Sequence, residues 1–462
     1  MPPERIRSSE SDHEYWQYDG EAMLLLGGSK EDNLFQISDL ESHLDDLVAA
    51  GGNYVRCTMS SRDEGDIWPY ERVEDDTETD AFGDDGPGAT YDLDSWNEAY
   101  WDRFDRFLEA TLERDVVPQV ELWAPWDFHP NEDWKRNPYN PANNRNYTFE
   151  ESGLPERSAP DPEGNWMTFF WSVPDLGDFE VVRAYQERFV DRVLDHAFEY
   201  PHVLYCVDNE TSAPPEWSAY WADRVNARAR NEARHVEVTE MVRIRDIRHP
   251  WHWNVYDRPD RYSFGEVSQN TNIVGQEYYD RIQWVRDRLD PVRPLNNVKI
   301  YGSDDDSSWS DSTERAVRRF WRDVFGGVAA ARFHRPPTGI GLDDVARRNI
   351  EAARTVTDAI DVFACDPRND LLGDRDPDEA YLLADPGVEY AVYFPYGGSV
   401  TLTLAGDAAL DSGTADGTGG RFRWYDVSAP GWTDRETPAD ESPLRLSTPD
   451  DGQWVAILSR SD

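Results

Sequence analysis

The chain has 462 residues, of which 39% are hydrophobic and 13% aromatic. This is enough apolar material to form the cores of roughly two or three domains, and it excludes a wholly disordered chain. The 46 Lys and Arg residues face 92 Asp and Glu residues, which gives a formal net charge of -46. Because such a charge repels phosphates and anionic lipid headgroups, neither nucleic acid nor a membrane is predicted as a partner.

The choice of charged residues and cysteines indicates where the protein works. Only Lys30, Lys135 and Lys299 are lysines, and every other basic residue is arginine. This composition resembles that of proteins from salt-in halophilic archaea, whose surface carboxylates keep the chain hydrated in concentrated salt. The N-terminus has no basic stretch followed by an apolar segment, so a cytoplasmic protein is predicted. The three cysteines form no C-x-x-C pair and are predicted to be small buried core residues.

Strands and amphipathic helices alternate from residue 22 to about residue 360, the pattern of βα units around a parallel sheet. The predicted strands are 22–26, 54–58, 116–122, 202–207, 235–242, 264–268, 297–301 and 329–333. Eight such units over roughly 340 residues predict a (β/α)8 TIM barrel. The barrel is placed at 21–360, after an N-terminal extension at 1–20. An open, doubly wound sheet is the structural alternative.

The pattern changes after residue 360. Short strand-like segments at 381–384, 390–394, 400–404, 422–425 and 454–458 follow one another, separated by turns and without helical periodicity. This is typical of a small all-β sandwich, which we place at 361–462.

In a (β/α)8 barrel the functional face is formed by the loops after the strands. The fourth strand runs into Asp208-Asn209-Glu210-Thr211. A carboxyl in an aromatic, apolar environment can keep its proton and donate it to a departing glycosidic oxygen. Glu210 is therefore the candidate acid/base, and Asn209 is a candidate for binding a sugar hydroxyl. The alternative is that Glu210 caps the following helix, or is one more surface acid.

The chain resembles a known family through several motifs. Asn209-Glu210 at the end of the fourth strand resembles the acid/base motif of the retaining (β/α)8 glycoside hydrolase clan, and the wider pattern resembles its apiosidase-like members. The other phrases that carry the resemblance are Leu26-Gly27-Gly28-Ser29, Arg332-Phe333-His334-Arg335-Pro336, Asp385-Pro386-Gly387 and Tyr390-Ala391-Val392-Tyr393-Phe394-Pro395. The tail is similar to the collagen-binding-type β-sandwich that follows such barrels. The resemblance implies hydrolysis of oligosaccharides or glycosides by a pair of carboxylates.

One departure from the clan concerns the second carboxylate. The clan places its nucleophilic glutamate at the end of the seventh strand, where this chain reads Val298-Lys299-Ile300-Tyr301-Gly302-Ser303-Asp304. Retaining hydrolysis needs a second carboxylate about 5 Å from the first, and inverting hydrolysis one about 6.5–9.5 Å away. Asp304 is the nearest candidate in the sequence. The alternatives are Glu121, Glu266 and Glu277, or a barrel that has lost catalysis.

Candidate substrate-binding residues fall on the same predicted face. Lysine handles a carboxylate, a hydroxyl or a proton transfer at close quarters in a way that arginine does not replace. Aromatic rings suit the apolar faces of sugars. Chance placement and ordinary packing are the alternatives. The candidate substrate-binding residues are Lys30, Lys299, Arg56, Trp123, Trp126, Tyr301, His334 and Arg335. The further residues noted in loops of this face are Lys135, Trp68, Trp134, Trp166, Trp171, Trp217, Trp251, Trp253 and Trp309.

Other chemistries have weaker support. The sequence has no Walker or Rossmann phosphate loop and no H-E-x-x-H helix, and His249 and His252 are assigned to loop packing. No metal or cofactor is predicted, and the oligomeric state stays open. Two competing functions remain: a carbohydrate-binding barrel without catalysis, and a lyase or aldolase for sugar acids centred on Lys299 or Lys30.

Overall fold

The computed structural model describes residues 4–73, 90–129, 132–155, 168–304, 312–405, 421–439 and 442–458. The helices in this part of the chain are α1 (Leu40–Ala49), α2 (Glu98–Leu112), α3 (Glu132–Arg136), α4 (Phe149–Ser152), α5 (Glu180–Ala197), α6 (Pro215–Asn231), α7 (Pro250–Tyr256), α8 (Gly275–Arg288), α9 (Thr313–Phe325) and α10 (Asp344–Thr357).

The strands of the first two thirds of the chain are β1 (Arg7–Ser8), β2 (Trp16–Tyr18), β3 (Glu21–Met23), β4 (Leu25–Gly28), β5 (Tyr54–Thr58), β6 (Tyr70–Val73), β7 (Thr90–Trp96), β8 (Val117–Trp123), β9 (Leu204–Thr211), β10 (Glu237–Val242), β11 (Gly265–Glu266), β12 (Leu295–Ile300) and β13 (Ala330–Phe333). Those of the last third are β14 (Asp366–Pro367), β15 (Leu372–Gly373), β16 (Tyr381–Asp385), β17 (Glu389–Phe394), β18 (Ser399–Leu402), β19 (Arg421–Asp426), β20 (Gly431–Pro438), β21 (Leu444–Ser447) and β22 (Trp454–Leu458).

The central sheet has eight strands in the order β10-β9-β8-β5-β4-β13-β12-β11. The pairs whose register is defined are parallel, and helices separate most successive strands in the chain. This is the predicted (β/α)8 fold, followed by antiparallel sheets, so the predicted fold class is confirmed. The boundary between residues 360 and 361 stays a prediction.

The chain divides into two compact units. The first consists of Met1–Arg7, Glu31–Asp45 and Val55–Gln269, and the second of Ser8–Lys30, Asp46–Tyr54 and Asn270–Asp462.

In the first unit, β8 and β9 are the most completely buried strands. All seven residues of β8 and all eight of β9 are buried, because α5 and α6 shield one side of the parallel sheet while the barrel interior encloses the other. Such strands read as nearly continuous apolar runs, which is how residues 116–122 and 202–207 are recognised in the sequence. Polar side chains within these strands must therefore find partners inside the protein.

Strand β9 does not keep a regular register with β10. Cys206 lies opposite Thr239, Asn209 opposite Met241 and Thr211 opposite Val242, so β9 contains one extra residue in each interval. Two β-bulges therefore follow one another at the carboxyl end of this strand. Glu210 lies in the second bulge, with a left-handed φ of 68°. Bulges at barrel rims bend the strand and redirect individual side chains.

The second unit contains β4, β12 and β13, which pair in parallel. Its two glycines in β4 are required by close backbone approach: a Cβ at Gly27 would lie 1.8 Å from the Tyr54 carbonyl oxygen, and one at Gly28 would lie 2.2 Å from the Gly341 carbonyl oxygen. Any side chain at either position would collide with backbone that cannot move aside.

The last third of the second unit is all-β. Its sheets have the orders β14-β16-β17-β22-β19-β20 and β15-β18-β21. Side chains of both sheets, including Val392, Leu402 and Trp424, form one buried core. Helix α9 packs against this domain: Trp321 stacks on Tyr393 with ring centroids 5.6 Å apart, and the buried Arg322 guanidinium donates to Asp378 Oδ1 at 2.7 Å.

Two further sequence interpretations can be compared with these coordinates. Cys57, Cys206 and Cys365 are all buried and unbridged, which confirms that they are core residues. Among the described residues, every helix is too short or too polar to span a membrane.

Candidate functional site

Glu210 lies at the carboxyl end of β9, in the first unit. Its side chain is largely buried, with 9% of its surface exposed. The side-chain amide of Gln269, which follows β11, donates a hydrogen bond to Glu210 Oε1 at 2.8 Å. Asn209 beside it is 1% exposed. The acid predicted from the sequence is therefore held at a strand end by a neutral donor on a neighbouring segment of the same unit.

Two buried carboxyls, Asp208 on β9 and Glu240 on β10, lie close to the segment that carries Glu210. Trp217 Nε1 donates to Asp208 Oδ2 at 2.8 Å, and the backbone N–H of Asp208 donates to Glu240 Oε2 at 3.0 Å. The two carboxyls interact directly, and burial raises the pKa of each well above its usual range; the charge of Asp208 raises the pKa of Glu240 further. Asp208 Oδ1 and Glu240 Oε1 receive no hydrogen bond from a donor among the described residues. The raised pKa of each carboxyl favours its protonated form, which can itself donate a hydrogen bond.

Glu240 is 2% exposed. It lines a small pocket together with Thr211, Trp251 and Asn254.

Arg56 lies in a buried ion-pair network. Its guanidinium contacts Glu121 Oε2 at 3.0 Å and Asp32 Oδ2 at 2.9 Å, and all three side chains are at most 4% exposed. Thr58 Oγ1 also donates to Glu121 Oε2, at 2.6 Å. These contacts do not support the prediction that Arg56 binds substrate. The guanidinium neutralises two buried carboxylates, and substrate binding by Arg56 stays a prediction.

Glu266, on β11, is a buried acid with a strongly shifted titration. Burial raises its pKa to about 7, and the charge of Glu121 contributes in the same direction. The backbone N–H of Ser268 donates to Glu266 Oε1 at 2.7 Å, which opposes the shift. Glu266 therefore changes charge near neutral pH.

An aromatic and cationic surface lies at the ends of the strands that flank β9. Trp126 follows β8 and is 37% exposed, and the Arg243 guanidinium, directly after β10, lies 5.2 Å from its ring centre. The backbone N–H of Arg243 donates to the Thr211 carbonyl at 2.9 Å. Because Thr211 follows Glu210, this surface is anchored to the segment that carries the candidate acid.

Trp123 has a different environment. Only 3% of it is exposed, and its ring lies 5.2–6.0 Å from those of Phe189, Trp217 and Trp221. Trp123 is thus packed inside the first unit, and its burial does not support the predicted contact with substrate.

The second unit holds the remaining predicted residues. Lys299 is 2% exposed, and the Tyr301 ring lies 4.5 Å from the ring of His334. Lys30 and Arg335 are partly buried. The structure thus brings Tyr301 and His334 together.

The predicted second carboxylates of this unit have other partners. The backbone N–H of Thr313, in the first turn of α9, donates to Asp304 Oδ1 at 3.3 Å, and Asp304 is exposed. Glu277, on α8, pairs with Arg281 one turn later at 2.9 Å and is 49% exposed. These contacts are those of surface and helix-terminus residues. Trp166 and Trp309 lie outside the described residues.

Four residues of this region were missed by sequence reasoning: Asp208, Glu240, Arg243 and Gln269. Asp208 and Glu240 carried a signal, since an acid inside an otherwise apolar strand needs a buried partner. Arg243 and Gln269 carried none, because each takes its role from a segment distant in sequence.

Comparison with known proteins supports the fold. No family of protein sequences matches the chain, and no curated protein matches it. Several solved structures, however, are similar to this chain. A glycoside hydrolase family 5 protein from Bacteroides vulgatus is 12% identical, with 98% of this chain and 93% of that chain aligned and a TM-score of 0.61. Another structure, described as a glycoside hydrolase, is 11% identical over 99% and 98% of the two chains, with a TM-score of 0.62. At this identity the similarity concerns the fold.

Proposed function

We propose that this protein is a glycoside hydrolase in which Glu210 is the general acid/base. The observation that carries the proposal is the placement of Glu210: a nearly buried carboxyl in a left-handed bulge at the carboxyl end of a barrel strand, held by Gln269. Barrel enzymes place their reacting groups at this edge. The fold shared with glycoside hydrolases supports the same conclusion.

The chemistry assigned to Glu210 is proton transfer to the leaving glycosidic oxygen, followed by removal of a proton from the attacking water or hydroxyl. The Gln269 amide donates to Oε1, which assigns the transferable proton to Oε2. The amide also fixes the plane of the carboxyl. Such fixation matters because proton transfer needs the acid within hydrogen-bond reach of the oxygen it protonates.

Trp126 and Arg243 are the proposed contacts for the sugar. A partly exposed indole offers a flat apolar surface to a sugar ring, and a guanidinium donates several hydrogen bonds in fixed directions. Neutral or acidic glycosides in the cytoplasm are the proposed substrates, in keeping with the predicted location of the protein.

Hydrolysis also requires a second carboxylate. The sequence predicts Asp304 as this second carboxylate, with Glu121, Glu266 and Glu277 as alternatives. The Arg56 ion pair weakens the case for Glu121, and the exposed pair with Arg281 weakens the case for Glu277. Azide rescue of the Asp304→Ala and Glu266→Ala variants with an activated aryl glycoside assigns the role, because azide in the vacated space attacks the anomeric carbon, expels the phenolate and yields a glycosyl azide of inverted configuration.

The test of the proposal compares wild type with Glu210→Gln on a panel of aryl glycosides. We expect kcat to fall by a factor of about 100 or more for substrates with poor leaving groups. The loss should be much smaller for dinitrophenyl glycosides, whose departure needs no protonation. Glu216→Gln is the matched control, since Glu216 is an exposed acid six residues later. Equal turnover by Glu210→Gln and wild type would contradict the assignment.

A carbohydrate-binding barrel without catalysis is the second candidate. It is favoured by one observation: residues 301–304, described directly after β12, contain no glutamate, and Asp304 contacts the start of α9. A wild-type protein that turns over no glycoside in the panel, yet binds immobilised glycans, would establish this candidate in place of the hydrolase.

A further inference from the structure

The conformation of Glu210 depends on the two bulges in β9. Without the extra residues, β9 would run in regular register with β10, and successive side chains would alternate between the two faces of the sheet. A slip of one residue moves a side chain to the opposite face. The direction of the Glu210 side chain therefore depends on the contacts that maintain the two bulges between Cys206 and Thr211.

Glu240 is placed to hold the first bulge open. The interval between Cys206 and Asn209 contains the extra residue, and within it the Asp208 amide donates to the Glu240 side chain. This carboxylate oxygen comes from β10, the strand against which β9 is out of register. A buried amide without an acceptor destabilises the protein. Removal of the Glu240 oxygen therefore favours a shift of β9 into regular pairing with β10, in which the Asp208 N–H regains an acceptor.

Other contacts of residues 208–211 also hold the bulged backbone in place. Trp217, on α6, fixes the Asp208 carboxyl from one side. Arg243, after β10, donates its backbone N–H to the Thr211 carbonyl. Residues 208–211 are thus tied to β10 before and after Glu210.

We propose that Glu240 is the positioning residue of Glu210: its carboxylate, by accepting the Asp208 amide, maintains the bulged backbone that directs the Glu210 side chain. The inference rests on the proposed function for its kinetic consequence, but its structural consequence is independent of any activity. Glu240 contacts the Asp208 backbone and not the reacting atoms, so it is not assigned a catalytic step.

The test compares Glu240→Ala with Glu240→Gln in the full chain. The glutamine keeps an oxygen that accepts the Asp208 amide, whereas the alanine has none. Crystal structures and hydrogen–deuterium exchange of the peptide 204–211 report the backbone directly. We expect the alanine variant to lose the left-handed conformation at Glu210 and the Gln269 contact, with faster exchange in this peptide. The glutamine variant should retain both the left-handed conformation at Glu210 and its contact with Gln269.

Kinetics give the second readout. For Glu240→Ala we expect kcat to fall about 100-fold, the size of effect that a 1 Å misplacement causes, with little change in KM. Glu240→Gln should restore most of the lost kcat. Glu237→Gln is the matched control: Glu237 is a buried acid on the same strand whose side chain pairs with His235, and its replacement should leave kcat unchanged.

The outcomes separate the two proposals. A Glu240→Ala structure that keeps the positive φ of Glu210 and its contact with Gln269 would overturn the positioning role, whatever the activity. A wild type without glycosidase activity would overturn the proposed function, while the exchange and crystal data would still decide the role of Glu240. If the alanine variant does not fold, Glu240→Leu, which fills the volume without accepting a hydrogen bond, provides the same comparison.

Discussion

Replacement of Glu266 by glutamine should change how the stability of the protein depends on pH. Burial raises the pKa of Glu266 from 4.5 to about 7. The folded chain therefore holds this proton over a range in which the unfolded chain has released it. The contribution of Glu266 to stability is therefore greatest below about pH 4.5 and falls as the pH rises to about 7, because the folded state must then carry a buried charge. Glutamine is neutral at every pH and avoids this loss.

The magnitude follows from the two pKa values. Each pH unit between them corresponds to about 1.4 kcal/mol, so ionised Glu266 lowers the free energy of unfolding by about 3 kcal/mol once the pH exceeds about 7. Glu266→Gln should match wild type at about pH 4 and be more stable at about pH 8, by up to this amount. The Ser268 N–H keeps an oxygen acceptor in the variant, since Oε1 remains.

The assay is urea unfolding at constant salt, followed by the fluorescence of the 19 tryptophans, at a series of pH values. The quantity of interest is the difference in unfolding free energy between variant and wild type, in which the many other titrating carboxyls cancel. Glu277→Gln serves as control, because Glu277 lies on the surface and its difference should stay flat. A Glu266→Gln difference that does not change from acid to alkaline pH would refute the reasoning.

Three other outcomes are expected. Arg56→Met leaves Asp32 and Glu121 buried without their cation and should lower the unfolding free energy by about 3–5 kcal/mol; urea unfolding within error of wild type would show that the network is not stabilising. Trp126→Ala should raise KM up to roughly tenfold through lost ring stacking, with kcat largely preserved, and an unchanged KM would remove Trp126 from the sugar contacts. Raising KCl from about 0.1 M to about 2 M should increase the melting temperature, because salt screens repulsion among the excess carboxylates. A flat salt profile would contradict the halophilic interpretation.

The fold was predictable because each βα unit carries its own local signal. Strand β9 lies within an apolar run that is visible in the sequence, and β13 begins one residue after its predicted start at 329. The glycines at 27 and 28 belong to the motif that prompted the family resemblance, and both are required by close backbone approach. Signals of this kind depend on residues near one another in the chain.

The environment of the candidate site was only partly predictable. Glu210 was recognised from its position after a strand, but the bulge that redirects it arises from the mismatch between β9 and β10, which no single segment contains. Trp123 reads as a loop aromatic near the barrel mouth, yet α5 and α6 enclose it. The sequence leaves Arg56 open as a substrate contact or an ion-pair partner, and its partner Glu121 lies 65 positions further along the chain. Such outcomes are set by tertiary packing, which sequence spacing does not record.

The contacts of α9 with the C-terminal sheets bear on how this protein can be dissected. Trp321 stacks on Tyr393, the Phe325 ring lies 5.5 Å from Tyr393 in a tilted arrangement, and Arg322 is almost completely buried beside Asp378. A fragment ending near residue 360 would present these two aromatic rings and an unneutralised guanidinium to water, and would be prone to aggregate. The C-terminal sheets therefore cover one side of this helix permanently, so truncation near residue 360 is a poor route to a smaller stable protein.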